Sequence, residues 1–301
     1  MNLITDLEKG KPTIIASIEK NGFTAEHSFP CFFYSKGPSS KCIFFDFGAG
    51  RGIMGLHNEK KKTVTLISEV LAREKERPGI LMDSLKFAFS ELKAERVIAE
   101  LGDESRDTAF ESIKKNGYKK SIKYCLKWPV YSLSDFDESL SGKEWKKLRN
   151  IRNRFYSSFR IEFKHPKDVE KDKLKTILKE WLKKRSIKDR VEVHYYTGMI
   201  DHNFEGLDMA RVVLINDEPC AFSAGWKIPK TNDFYCAIGI FNYKYKDMGD
   251  FINIDDFLHI KSLGYKNVDF GGSDEALLQF KMKFKPKQIY RTTVFSISKK
   301  D

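Results

Sequence analysis

Two glycines and two lysines near the C-terminal end of the chain have the composition and spacing of a phosphate-binding turn. Gly271 and Gly272 follow a short apolar run, and Lys281 and Lys283 lie in the next predicted helix. Backbone N–H groups freed by a glycine turn, and the ammonium groups of nearby lysines, both bind phosphate oxygens. We therefore expect an acyl donor that carries phosphates to bind here, with Lys281 or Lys283 contacting a donor phosphate or the reacting ester.

The carboxylate of Asp269 lies on the predicted strand that leads into this turn. An amine nucleophile must lose a proton before it attacks an acyl group, so a carboxylate at this position is a candidate base. The alternative is that Asp269 caps the turn. The alternative for Lys281 and Lys283 is that they are solvated lysines of a short helix, since lysine is mostly an exposed residue. We expect Lys281 to be partly exposed, so that its removal slows turnover more than it lowers the melting temperature.

A second set of basic residues lies on the predicted helix 143–159. Arg149 and Arg152 are three residues apart, which places them on one helix face. Guanidinium groups bind phosphate through forked hydrogen bonds, so both are candidate donor-binding residues. The alternative is a solvated basic helix that packs through its apolar residues.

Strand and helix patterns alternate along the whole chain, which predicts a mixed α/β (α+β) protein with helices on a mixed sheet. The second half repeats the element order of the first. The predicted strands are 42–47, 63–69, 96–101, 121–128, a hairpin at 212–228, 233–241, 267–270 and 291–297, and the predicted helices are 78–93, 106–116, 251–263 and 276–284.

A polar, acidic stretch at 132–142 is the predicted boundary between two domains. The predicted domains are 1–138 and 139–301. The second domain begins with two basic helices, predicted at 143–159 and 169–186.

The glycine-rich segment DFGAGRG (46–52) resembles the first motif of S-adenosylmethionine methyltransferases. That motif requires a helix after the glycines to hold the methionine carboxylate. Here a strand begins at Thr63, which leaves too little room for a helix and a turn. We interpret these glycines as the connection of a hairpin.

Composition bounds the partners and the compartment. The net charge is +12 with a pI of about 9.2, which favours polyanionic partners, although a lysine-covered surface without a specific partner has the same composition. The five cysteines include no C-x-x-C pair, which is typical of reduced thiols in a cytoplasmic protein. No apolar run is long enough to span a membrane. No His or Cys cluster predicts a metal site.

Two segments together resemble the C-terminal family of phosphatidylglycerol lysyltransferases. One comprises WPVYSL (128–133), LSGK (140–143) and KLRNIRNRF (147–155), and the other is 271–284 with Arg291 at the start of the last strand. The resemblance implies two GNAT-like (acyl-CoA N-acyltransferase) subdomains, each with a mixed β-sheet flanked by helices, as in the related Fem-type aminoacyltransferases.

The same resemblance implies transfer of an acyl or aminoacyl group from acyl-CoA or aminoacyl-tRNA to an amine or hydroxyl, with an anionic lipid head group as one acceptor. The donor is a substrate, so no tightly bound cofactor is expected. The implied catalytic residues are Asp269, Lys281 and Lys283. The implied donor-binding residues are Gly271, Gly272, Arg149, Arg152, Asn153 and Arg291.

A second hypothesis remains open. The usual GNAT phosphate loop has two glycines or a glycine and an alanine, whereas ERPGIL (76–81) has one glycine and 247–251 matches less well. The alternative function is therefore a catalytically weak protein that binds nucleic acid or another polyanion through its basic helices.

Overall fold

The computed structural model describes residues 1–185 and 192–300, which form two compact units. The first unit contains Met1–Pro129, Ile228–Thr231 and the chain from Gly271 onward; the second contains the described residues of Val130–Lys227 and Asn232–Phe270. The predicted division into domains 1–138 and 139–301 stays a prediction.

The first unit is built from a mixed sheet with helices on both faces. Its elements are β1 (Asn2–Ile4), α1 (Leu7–Asn21), α2 (Phe29–Tyr34), β2 (Lys41–Asp46), β3 (Gly52–Asn58), β4 (Thr63–Leu66), α3 (Arg77–Ser90), β5 (Arg96–Gly102), α4 (Asp103–Lys115), most of β6 (Tyr118–Ser132), α9 (Glu275–Met282) and β12 (Gln288–Lys299). The strand order is β1-β2-β3-β4-β5-β12-β6. The pair β4 and β5 is parallel, and β12 lies antiparallel to β5.

Alternation along β2 shows how this sheet is covered on both faces. Ile43 and Phe45 belong to a core cluster that includes the apolar residues of α3 and α4. Cys42 and Phe44 point to the other face and pack with Ile14 of α1. The continuous apolar run of β2 therefore serves two cores.

The second unit has its own mixed sheet. Its elements are the last residues of β6, α5 (Lys146–Ser158), β7 (Ile161–Lys164), α6 (Lys171–Lys183), α7 (Val193–Asp201), β8 (Met209–Ile215), β9 (Glu218–Lys227), β10 (Asp233–Phe241), α8 (Met248–Ser262) and β11 (Asn267–Asp269). The order is β6-β11-β10-β9-β8-β7, with β10 parallel to β11. Helices α5 and α8 pack together through stacked rings of Phe155 and Phe251, whose centroids are 4.4 Å apart.

The two predicted hairpins are confirmed. Asn216 and Asp217 connect β8 and β9 with φ of 50° and 68°, the left-handed conformation that a two-residue hairpin turn requires. Strands β2 and β3 are antiparallel, with Asp46 opposite Gly52. The segment 46–52 is therefore a hairpin connection, as expected, and no helix follows it.

Several boundaries differ from prediction. Helix α4 begins at Asp103, three residues before the predicted 106–116, because Asp103 and Glu104 occupy its first turn, where acids are favourable. Helix α6 lies within the predicted 169–186, whose last residue is outside the described chain. The elements α1, α2, α7, β1, β3 and β7 were not predicted. In residues 1–185 and 192–300, no helix has both the length and the apolar character needed to cross a bilayer.

Candidate functional site

The glycine turn and Lys281 are in direct contact within the first unit. Gly271 has a φ of +78°, which favours glycine, and α9 begins soon after it with Asp274 capping the N–H of Leu277 at 2.9 Å. The side chain of Lys281 folds back so that its Nζ donates to the carbonyl oxygen of Gly271 across 3.0 Å. Lys281 is 8% exposed, so the expectation of a partly exposed lysine is wrong.

Packing accounts for the second glycine of the turn. A Cβ on Gly272 would lie 2.8 Å from Cδ1 of Leu126 and 3.0 Å from the ring of Trp128. That indole donates from Nε1 to Oγ1 of Thr292 at 2.8 Å and stacks on Tyr290, so it has little freedom to shift. The close approach of Gly272 to Trp128 is thus a packing requirement, and its approach to a donor stays a prediction.

Lys283 and Arg291 lie on the surface of the first unit. Lys283 is exposed, with its Nζ 4.4 Å from the centroid of the Phe280 ring. The Nε of Arg291 lies 3.1 Å from Oδ2 of Asp103 at the start of α4. The structure therefore brings Lys281, and not Lys283, against the carbonyl of the glycine turn. The predicted catalytic role of Lys283 and the donor-binding role of Arg291 stay predictions.

Asp269 belongs to the second unit. It is 2% exposed and lies on β11 between Tyr235 of β10 and Val130 of β6. Burial, together with the charge of Asp269, raises the pKa of Tyr131 above its usual range. The carboxylate and this phenol are therefore close in a poorly solvated place. Such surroundings are typical of groups that exchange protons, and the predicted role of Asp269 as a base stays a prediction.

The predicted donor-binding arginines of α5 contact the backbone of the segment before it. Arg149 donates from Nη1 to the carbonyl oxygens of Leu140 and Gly142, and Arg152 donates from Nη1 to that of Glu138 at 2.8 Å. Both guanidinium groups thus hold the segment 138–142 against α5. Asn153, the third predicted residue of this helix, is exposed. Contact of these three residues with a donor stays a prediction.

A lysine-rich cavity lies at the N-terminal part of α5 in the second unit. It has a volume of about 600 Å³ and is lined by Lys143, Lys146, Lys147, Asn150 and Arg154, among others. We call Lys143, Lys146, Lys147 and Arg154 the basic stripe. Sequence analysis did not select these residues as a site. The positions 143, 147, 150 and 154 recur at intervals of three and four, which is the signal of a single helix face.

The start of α8 closes this cavity. Asp247 precedes α8 with a φ of 63°, and its Oδ2 accepts from Nη2 of Arg154 at 2.9 Å. A helix N-terminus carries partial positive charge and unpaired N–H groups, which add to the charge of the basic stripe. The arrangement is suited to binding phosphate groups. In the described part of the chain, no group of three or more His, Cys, Asp or Glu side chains could hold a metal ion.

Solved structures with this fold include known and suspected transferases. L-PGS from Bacillus licheniformis superposes with a TM-score of 0.69 at 19% identity, over 99% of this chain and 93% of that one. FemX gives 0.64 at 12% identity, over 97% of both chains. A tandem GNAT protein from the clavulanic acid biosynthesis pathway gives 0.58 at 9% identity, over 99% and 98%. At these identities the likeness shows the fold, which is the tandem GNAT-like fold predicted from the sequence.

The sequence itself is more specific. No curated protein matches it. Residues 129–295, which are more than half of the chain, match the family described as phosphatidylglycerol lysyltransferase, C-terminal. This span includes the glycine turn, α5 and Asp269. The chain therefore belongs to the phosphatidylglycerol lysyltransferase C-terminal family.

Proposed function

We propose that this protein is an acyltransferase of the GNAT superfamily. It moves an acyl or aminoacyl group from acyl-CoA or aminoacyl-tRNA to an amine or hydroxyl acceptor, and an anionic lipid head group is one such acceptor. Membership of the phosphatidylglycerol lysyltransferase C-terminal family supports the reaction class. The tandem GNAT-like fold supports it as well.

The observation that carries the proposal is the basic stripe on its cavity beside α8. Both donor classes carry phosphates, and a cavity lined by Lys143, Lys146, Lys147 and Arg154 offers several cationic donors to them. Counterion release makes such contacts favourable for a nucleic acid backbone in particular. The donor's phosphates are thus held by the second unit.

The chemistry assigned to single residues follows their surroundings. The nucleophile's nitrogen or oxygen forms a bond to the acyl carbon, the bond from that carbon to the donor's oxygen or sulfur breaks, and a proton leaves the nucleophile. Asp269 is the proposed acceptor of that proton. Lys281 and Lys283 are the proposed cations that stabilise the developing negative charge of the acyl oxygen or the leaving group.

A second function is favoured by the same stripe and by the net charge of +12. In this alternative the protein binds nucleic acid or another polyanion and transfers nothing. The two functions share donor-like binding and differ in turnover.

A transfer assay separates the two functions. The protein is incubated with ¹⁴C-aminoacyl-tRNA or ¹⁴C-acetyl-CoA, together with vesicles containing phosphatidylglycerol or with small amines, and label in the acceptor is counted. Label transfer that depends on the protein supports the proposal. Binding of tRNA without transfer from any donor supports the alternative.

A charge-matched pair of variants tests the stripe in this assay. Lys143→Gln with Lys147→Gln should weaken the donor's KM or Kd by about tenfold or more, given about 1.4 kcal/mol per factor of ten. Lys60→Gln with Lys61→Gln removes the same charge from an exposed turn of the first unit and should change either value by less than about twofold. Equal effects of the two pairs would contradict a phosphate site at the stripe.

A further inference from the structure

A separate cavity lies wholly within the first unit, at the ends of the parallel strands β4 and β5. Its volume is about 570 Å³, a size that ordinary small-molecule sites have. Buried apolar side chains form part of its wall, namely Val70, Leu81, Leu101 and Ala109. Arg73, Arg77 and Glu104 also line it.

The polar part of the wall is the carboxylate of Glu69. This residue is 9% exposed. Its Oε1 accepts from the N–H of Gly102 at 2.8 Å, and its Oε2 accepts from Oγ of Ser105 at 2.5 Å. These two contacts fix the orientation of the carboxylate. Since an ionised carboxylate has about four acceptor positions, two hydrogen bonds leave about two for a ligand.

The backbone at Glu69 is fixed as well. The buried ring of His27 lies with Nε2 2.9 Å from the carbonyl oxygen of Glu69, and its Nδ1 accepts from the N–H of Thr24 at 3.1 Å. Because Nδ1 is an acceptor, Nε2 carries the proton and donates to Glu69. The carboxylate therefore projects from a backbone position that a buried side chain holds in place.

The charge of Glu69 lacks a partner of opposite sign. Among the described residues, its side chain forms hydrogen bonds to neutral groups only and no ion pair. Arg73 pairs instead with Glu76 at 3.0 Å, and Arg77 donates to the carbonyl oxygen of Ala72 at 3.1 Å. A buried carboxylate without a cation is unfavourable, so this wall favours a cationic ligand.

A second carboxyl group increases this effect. Glu100 of β5 donates or accepts at Oγ1 of Thr292, and its pKa is raised because of burial and because of the charge of Glu69. Two carboxyl groups that repel each other in a poorly solvated place are stabilised when a cation arrives. The described residues do not form a metal site, so an organic cation fits the cavity better than a metal ion.

We propose that this cavity binds a small primary amine, with the ammonium group on the carboxylate of Glu69 and the carbon chain against Val70, Leu81 and Leu101. The ligand class follows from the wall, in which one buried anion adjoins an apolar surface. The proposal concerns binding in the first unit and does not depend on the transfer reaction, so each can fail without the other.

The test uses n-hexylamine as the probe, n-hexanol as its neutral counterpart and hexanoate as its anionic one. Binding is measured by isothermal titration calorimetry on the full chain at pH 7.5. Hexylamine should bind with one site per chain and at least about tenfold more tightly than hexanol, since a charge-assisted hydrogen bond favours it by more than a neutral one. Hexanoate should bind more weakly than either. Equal affinities for hexylamine and hexanol, or no heat with hexylamine at millimolar concentration, would overturn the proposal.

Variants locate the probe. Glu69→Gln keeps the size of the side chain and should weaken hexylamine at least about tenfold while leaving hexanol within about twofold. Glu104→Gln removes an exposed acid of the same cavity and should change hexylamine less than about threefold. If Glu69→Gln does not fold, Ala109→Leu fills the apolar wall and should weaken both hexylamine and hexanol. Unchanged hexylamine affinity in Glu69→Gln, or in Ala109→Leu, would place the amine elsewhere and overturn the proposal.

Discussion

The ammonium group of Lys281 donates to the carbonyl oxygen of Gly271 across 3.0 Å, from a side chain that is 8% exposed. A lysine held in this way is both part of the packing and a fixed positive charge at the glycine turn. Experiments on Lys281 must therefore separate its contribution to stability from its contribution to catalysis.

The first prediction concerns Lys281→Met, which keeps most of the aliphatic chain and removes the charge. Loss of a fixed cation at the reacting group should lower kcat by about a hundredfold. The melting temperature should fall less than in Lys281→Ala, which also leaves a cavity. Lys283→Met and Lys285→Met, both at exposed positions, serve as controls. If all three methionine variants have the same kcat, the segment is only the closing helix of the unit.

The second prediction concerns Arg149 and Arg152, which hold the segment 138–142 through backbone carbonyls. Replacing both with Ala should weaken tRNA or CoA binding by roughly 2–5 kcal/mol without unfolding the protein. Filter binding of tRNA over a series of KCl concentrations shows how they act. Direct phosphate contact by both lowers the salt slope by about 1.5, whereas an effect through the segment leaves the slope unchanged. Full affinity in the double variant would remove both residues from the donor site.

The third prediction concerns His27, whose pKa burial lowers from 6.5 to about 4. The folded protein then binds fewer protons than the unfolded chain between these values, so stability is lost as the pH falls from about 6.5 towards 4. The loss should approach about 3 kcal/mol. Urea unfolding at several pH values measures it. His27→Gln should be less stable at pH 7.5 but should show a flatter pH dependence; parallel curves for the two proteins would contradict the assignment.

The fourth prediction has the opposite sign. Burial raises the pKa of Asp256 in α8 to about 7, although Arg211 acts against it, and Oδ2 of Asp256 has no hydrogen-bond partner in the described part of the chain. The folded protein therefore binds more protons than the unfolded chain between about 4 and 7, and stability is lost as the pH rises through this range. The loss should be at most about 4 kcal/mol. Asp256→Asn should remove it while keeping an acceptor for Ser223. A wild-type-like decline in this variant would show that another group titrates.

Local patterns were sufficient for much of the fold. The hairpin at Asn216 and Asp217 was predicted because these residue types tolerate the left-handed conformation that the turn needs. Helix α1 was not predicted, because Gly10 and Pro12 interrupt its pattern; its stability comes from burying Ile14 against β2. Tertiary packing thus decided an element that local preference disfavours.

The candidate site was predictable only in part. The glycine turn and the basic helix are continuous in sequence, so their residue types were visible. The burial of Lys281 was not, because lysine is normally exposed and its contact with Gly271 depends on how α9 folds back. Glu69 was missed for a similar reason. Its partners Gly102 and Ser105 are more than thirty residues away, and no local pattern relates them.

The position of β12 between β5 and β6 has a consequence for biosynthesis. An internal strand of the first unit is supplied by residues 288–299, whereas its neighbours in the sheet are translated far earlier. While the ribosome is still making the second unit, β5 and β6 of the nascent chain present unpaired edges, which are prone to aggregation. The first unit therefore completes its sheet after the second unit has been synthesised, and chaperone dependence should be concentrated in that interval.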